Sequence, residues 1–155
     1  MLVAPVLAVV AYFATDYVVS ERPHAAQPGK SYKLAAKSNC RYQSGLCILQ
    51  NGSVEIQLRS VRDTPDQVTL TVTSNEPLTG ALFSLVRDGN GSEPTRLASD
   101  NGQWTISLPV REGDNSSLRM AFSIAGSEYF AESSTAFVDY ETTFSRKNFP
   151  EDEQK

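Results

Sequence analysis

The sequence predicts an all-β fold, an antiparallel sandwich preceded by one N-terminal helix, and three observations carry that expectation. Apolar and polar residues alternate with a period of two through most of the chain, so each run buries one face and wets the other. Turn-forming residues separate the runs. A single apolar stretch, Leu2 to Val19, broken only by Thr15 and Asp16, stands apart at the start.

Each run reads as a strand in turn. Val54, Ile56 and Leu58 alternate with Glu55, Gln57 and Arg59, and Val68, Leu70 and Val72 alternate with Thr69, Thr71 and Thr73. Ala81, Phe83 and Leu85 repeat the pattern, as do Trp104, Ile106 and Leu108, and then Leu118, Met120, Phe122 and Ile124. Glu128 to Tyr140, rich in aromatic and β-branched residues, closes the series. Between them lie Asn51-Gly52, Thr64-Pro65-Asp66, Asn75-Glu76-Pro77, Asp88-Gly89-Asn90-Gly91, Asn101-Gly102 and Gly113-Asp114-Asn115, all turn signals. About seven short strands with one buried face each must pack sheet on sheet. The expectation is an immunoglobulin-like antiparallel β-sandwich over 38–144.

The apolar run predicts a transmembrane anchor over 2–19. As a helix it rises roughly 27 Å, close to the ~30 Å hydrocarbon core of a bilayer, and Asp16 falls one turn from its end, within reach of the headgroups. A cleaved secretory signal would need small residues at the third and first positions before the cut, and Tyr12-Phe13-Ala14 and His24-Ala25-Ala26 both place a bulky residue there. Residues 20–37, broken by Pro23, Pro28 and Gly29, read as a linker, and 145–155 as a disordered charged tail containing Pro150.

Orientation rests on two opposed arguments. Arg22, Lys30, Lys33 and Lys37 follow the apolar run and only Met1 precedes it, which taken literally places the body in the cytoplasm. Cys40 and Cys47, the entire cysteine inventory, close a short loop through the Ser44-Gly45 turn and predict a disulfide, which persists in oxidising compartments. Long domains translocate largely regardless of flanking charge, so the body is expected outside the membrane, and the missing basic flank before the apolar run leads to the expectation of a natural start codon upstream.

Composition excludes several classes. A net charge of -4 gives no basic footprint for nucleic acid. His24, the only histidine, sits in the linker, where nothing holds it between a nucleophile and an acid, so the chain is expected not to be an enzyme. Cys40 and Cys47 lack zinc spacing and a neighbouring histidine, and Met120 takes a core-facing strand position, so no metal or cofactor is expected. Asp88-Gly89-Asn90-Gly91-Ser92 alternates acidic and amide side chains like a calcium loop, but Glu93 stands where glycine is needed and Ser99 where a bidentate glutamate is needed. A hairpin turn is expected instead. Trp104 keeps phase with Ile106 and Leu108 and is expected in the core. Asn51-Gly52-Ser53, Asn90-Gly91-Ser92 and Asn115-Ser116-Ser117 are glycosylation sequons on turns, although Asn-Gly is also a common hairpin dipeptide.

The N-terminal span, the Thr15-Asp16-Tyr17 step at its outer end, the Gly29-Lys30 linker and the strand Asp100-Asn101-Gly102-Gln103-Trp104 together resemble the FixH and YtkA-like periplasmic proteins. That resemblance implies a bacterial inner (cytoplasmic) membrane, a single pass with the C-terminal domain in the periplasm, and a role beside respiratory oxidases or in copper supply. The Cys40-Cys47 loop and the short segment before the span depart from that pattern. The expected function is a non-catalytic interaction or assembly accessory to a membrane-protein partner, tethered so that a weak contact suffices. A FixH-like accessory to oxidase or cation-pump biogenesis and a glycosylated cell-surface domain are the alternatives.

Overall fold

The computed structural model describes residues 3–19, 26–109 and 116–140. His24, Arg22, the 113–115 turn, Asn115 of the third sequon and the tail 145–155 lie outside the described residues.

The helix α1 (Val3–Val19) forms where the apolar run was expected. Its 17 residues rise about 26 Å, short of the ~30 Å hydrocarbon core. Among the described residues no helix is long and apolar enough to cross a membrane, so the transmembrane span expected over 2–19 is not found.

The body is all β, two six-stranded sheets. In chain order the strands are β1 (Ser31–Lys33), β2 (Ala35–Ala36), β3 (Leu46–Asn51), β4 (Val54–Thr64), β5 (Gln67–Ser74), β6 (Leu78–Arg87), β7 (Asn90–Gly91), β8 (Thr95–Arg96), β9 (Ala98–Asp100), β10 (Gln103–Pro109), β11 (Ser117–Ile124) and β12 (Ser127–Ser134). Short 3-10 helices occupy Ser38–Arg41 and Thr135–Asp139. β1 and β2 fall within the 20–37 stretch read as linker. One sheet runs β1-β12-β11-β6-β7, with β8 also on β6; the other runs β2-β3-β4-β5-β10-β9. The chain changes sheet between β1 and β2, between β5 and β6, between β8 and β9, and between β10 and β11. Every pairing is antiparallel except β1 on β12, which is parallel.

Period two explains which residues meet in the middle. Leu49, Ile56, Leu58, Val68, Leu70 and Val72 of one sheet face Phe83, Leu118, Met120, Phe122 and Tyr129 of the other, all buried. Phe83 and Phe122 meet edge to face with ring centroids 5.8 Å apart. Fully burying each such side chain contributes roughly 1.5–3 kcal/mol, so this layer supplies most of the driving force for folding.

The strand expected from Glu128 to Tyr140 ends at Ser134. Up to there buried and exposed residues alternate strictly, but Phe137 and Val138 are adjacent and both buried. A strand would turn one of them outward; the 3-10 turn points both inward.

Two poles result. At one, the chain enters β1 beside the β11–β12 turn: the Gly29 N–H donates to the Gly126 carbonyl at 2.8 Å, and the Ser127 hydroxyl to the Gln27 carbonyl at 3.0 Å. The β3–β4, β5–β6 and β9–β10 connections share this pole. The two 3-10 helices close the other, where Arg62 of β4 meets Asp139 at 3.3 Å.

Candidate functional site

Cys40 and Cys47 are joined in a disulfide. Cys40 lies in the 3-10 turn and Cys47 in β3, and Gly45 takes the left-handed backbone (φ 65°) that bends the chain back between them. Both cysteines are buried, at 1% and 0% exposure, and the bridge abuts β12 through Ser133, 3.9 Å from the Cys47 sulfur. It is part of the core rather than a surface thiol pair.

The other residues singled out from the sequence disperse. Met120 is buried on the inner face of β11, and both thiols are consumed in the bridge, so among the described residues these donors are not brought together for copper. Among the described residues no three of His, Cys, Asp or Glu are grouped to hold a metal ion. Asp88 and Gly89, with φ of 49° and 79°, form the two-residue turn between β6 and β7, a hairpin rather than a cation loop. Asn51 spends its amide nitrogen on the Lys33 carbonyl at 2.7 Å, whereas Asn90 is exposed. Trp104 is half-buried and packs on the edge of the core rather than inside it.

What the sequence reading missed lies on the outer face of the β1-β12-β11-β6 sheet. The registers place Lys33, Phe130, Ala121, Leu82 and Arg96 side by side in one row across five strands. Phe130 is 46% exposed and Leu82 38%. One row toward the 3-10 helices, Glu132 pairs with Arg119 at 3.0 Å and accepts the Ser117 hydroxyl at 2.9 Å. The Arg119 guanidinium first, and the Ser117 hydroxyl second, hold the Glu132 carboxyl below its ordinary range. One row the other way, Ser123 donates to Glu128 at 2.9 Å. An apolar stripe with a cation at each end is thus flanked by hydrogen-bonded polar rows, the arrangement of an interface core and its rim.

The opposite sheet shows the contrast. Its outer face carries Gln57, Arg59, Thr69, Thr71, Thr73, Thr105 and Ser107, with Val61 as its one large exposed apolar residue among the described residues. Scattered apolar residues of that kind are ordinary surface.

No protein-family model matches the chain, and no curated protein matches it. Solved structures similar to it include the Br derivative of BhCBM56, at 18% identity and a TM-score of 0.45, covering 50% of this chain and 86% of that one. The MHC-like MILL2 follows at 17% identity and a TM-score of 0.32, covering 52% and 34%. The sulfur carrier protein SoxY from Chlorobium limicola f thiosulfatophilum stands at 16% identity and a TM-score of 0.32, covering 54% and 74%.

Proposed function

We propose that this chain is a non-catalytic interaction or assembly accessory, anchored in a membrane through α1, that displays an immunoglobulin-like sandwich on the extracytoplasmic side to a partner in the same membrane. The observation that carries the reading is the helix. Val6, Leu7, Val9, Val10, Tyr12 and Phe13, each more than half exposed, span about 220° of its circumference at 100° per residue, and the exposed Ala8 and Ala11 fill the rest. A helix apolar all round needs an apolar surrounding. A shortfall of about 4 Å against the hydrocarbon core is met by local thinning, at fractions of a kcal/mol per Å.

The immunoglobulin-like reading is supported by the strand order: β9-β10-β5-β4 opposite β12-β11-β6 has the four-and-three division of that sandwich. The periplasm is supported by the disulfide, and the inner membrane by the resemblance to FixH-like proteins. Within that resemblance the assembly role is favoured over copper supply, because among the described residues Met120 and the cysteines are committed to the core and the bridge. The surface offered to the partner is the Lys33–Arg96 row.

The test is fractionation of cells expressing the full chain and a variant lacking residues 1–19, with a photo-crosslinking residue at position 82. Recovery of the full chain in carbonate-washed membranes, its release on deletion, and a crosslink to a membrane protein support the reading. A full chain that stays in the soluble fraction sinks it. A second reading, a cell-surface domain bearing N-glycans, has the exposed Asn90 in its favour. A mobility shift on glycosidase treatment that disappears in Asn90→Gln would select it.

A further inference from the structure

At the pole where the chain enters β1, the β5–β6 connection and the β9–β10 hairpin enclose a half-open cleft of about 320 Å³. Ser74, Asn75, Glu76, Pro77 and Leu78 form one wall, and Ser99, Gly102 and Trp104 the other. We propose that this cleft binds an alkylammonium group between the Trp104 indole and the Glu76 carboxylate.

The charge of the lining is one-sided. Glu76 is its only ionisable residue, and among the described residues its carboxylate makes no hydrogen bond or ion pair. No cation lies in the walls to neutralise it, so an anionic ligand meets repulsion and a cation does not. The Glu76 charge already reaches a neighbour: burial first, then Tyr32 and Glu76, push the Tyr129 hydroxyl above the ordinary phenol range.

Trp104 supplies the second attraction. It sits in the inward phase of β10 but near the strand's first residue, where the sandwich ends, so the core covers only part of the indole and the rest lines the cleft. An indole attracts cations through its ring quadrupole, most strongly among aromatic side chains.

The frame is held before any ligand arrives. Asn75 accepts from the Glu55 N–H at 2.8 Å, donates its side-chain amide to the Ser53 carbonyl at 2.7 Å, and donates its own N–H to the Glu55 carbonyl at 3.1 Å. The Glu76 N–H donates to the Ser74 hydroxyl at 3.2 Å. A loop tied down in this way loses little entropy on binding. The volume lies near the lower end of small-ligand sites, which suits a single ammonium head and its methyl or methylene groups. That chemistry comes from a free small amine or from a lysine side chain.

Because Trp104 is the only tryptophan, a fluorescence change in the folded protein comes from this one indole. The experiment titrates the full chain, at constant ionic strength, with tetramethylammonium, with N-acetyl-lysine amide, and with tert-butanol as the uncharged counterpart. Methyl glucoside serves as a neutral polar ligand. The expected result is a saturable change with a Kd of about 1–10 mM for an ammonium compound. Tighter binding of tetramethylammonium identifies a small amine as the natural source, and tighter binding of the lysine amide identifies a side chain. Glu76→Gln, an exposed turn substitution that leaves the fold intact, weakens binding roughly fivefold. No saturable change with either ammonium compound, an equal response to tert-butanol or methyl glucoside, or an unaltered Kd in Glu76→Gln overturns the proposal.

Discussion

Replacing Cys40 and Cys47 together by alanine should cost about 3–4 kcal/mol of stability, and the parts of that figure come from different states of the chain. The bridge closes a loop over a sequence separation of 7. In the chain-entropy model a loop of that size removes about 2.5 kcal/mol of freedom from the unfolded ensemble. The remaining part, about 1 kcal/mol, comes from two buried sulfur atoms lost from a site packed against β12. Most of the effect therefore lies in the unfolded state, and chemical reduction of the unaltered protein should reproduce it to within about 1 kcal/mol. Urea unfolding followed through Trp104 fluorescence measures both, and a thermal scan should show a midpoint lower by roughly 15 °C. A loss below about 1 kcal/mol in the alanine pair would refute the reasoning, because the loop term alone exceeds it. A large loss in the alanine pair with none on reduction would place the effect in packing instead.

Three further outcomes follow from local geometry. Gly45→Ala puts a Cβ 2.9 Å from Cδ1 of Tyr140 at a backbone φ of 65°, and should destabilise by about 1–3 kcal/mol, with Gly45→Ala/Tyr140→Ala recovering only the steric part in a double-mutant cycle. Ala125 occupies the left-handed region (φ 48°) of the β11–β12 turn, so Ala125→Gly should stabilise by roughly 0.5–1 kcal/mol in the same unfolding assay. Glu132 titrates below the ordinary glutamate value of 4.5 in the folded protein, so its contribution to stability is present above that pH and fades as pH falls through the lowered value. Arg119→Gln should move the Glu132 titration upward when followed by carboxyl NMR, and an unmoved titration would show that Arg119 is not the cause.

Much of the sandwich is legible in single residues. Val54, Ile56 and Leu58, then Val68, Leu70 and Val72, then Leu118, Met120, Phe122 and Ile124 are buried in the phase their alternation predicts. The period fails where strands are too short to show one. β1, β2, β7, β8 and β9 have two or three residues each, and β3 is hidden because Leu46-Cys47-Ile48-Leu49 is a continuous apolar run abutting the cysteine loop. The Ala125-Gly126 turn escapes because alanine seldom adopts a positive φ.

The candidate sites were partly readable as well. Phe130 falls between the buried Tyr129 and Ala131, so the alternation already turns it toward solvent, and an exposed aromatic on a wet face was the available signal. Joining Phe130 to Leu82, 48 residues earlier, needed the register through Ala121. Trp104 illustrates the limit of phase: alternation shows which face a residue takes, but distance from the strand end decides how much covers it.

The parallel pairing of β1 with β12 also governs the order in which the molecule can be made. Ser31 pairs with Glu128, about a hundred residues later, so the first strand to leave the ribosome waits for the last. Until Ser127–Ser134 has emerged, β11 lacks one neighbour and β1 has none. The half of the sandwich built on β6 and β11 thus remains open until β12 has emerged, with Phe83 and Phe122 uncovered by the strand that completes their sheet. A chaperone acting on the nascent chain would meet that unfinished edge.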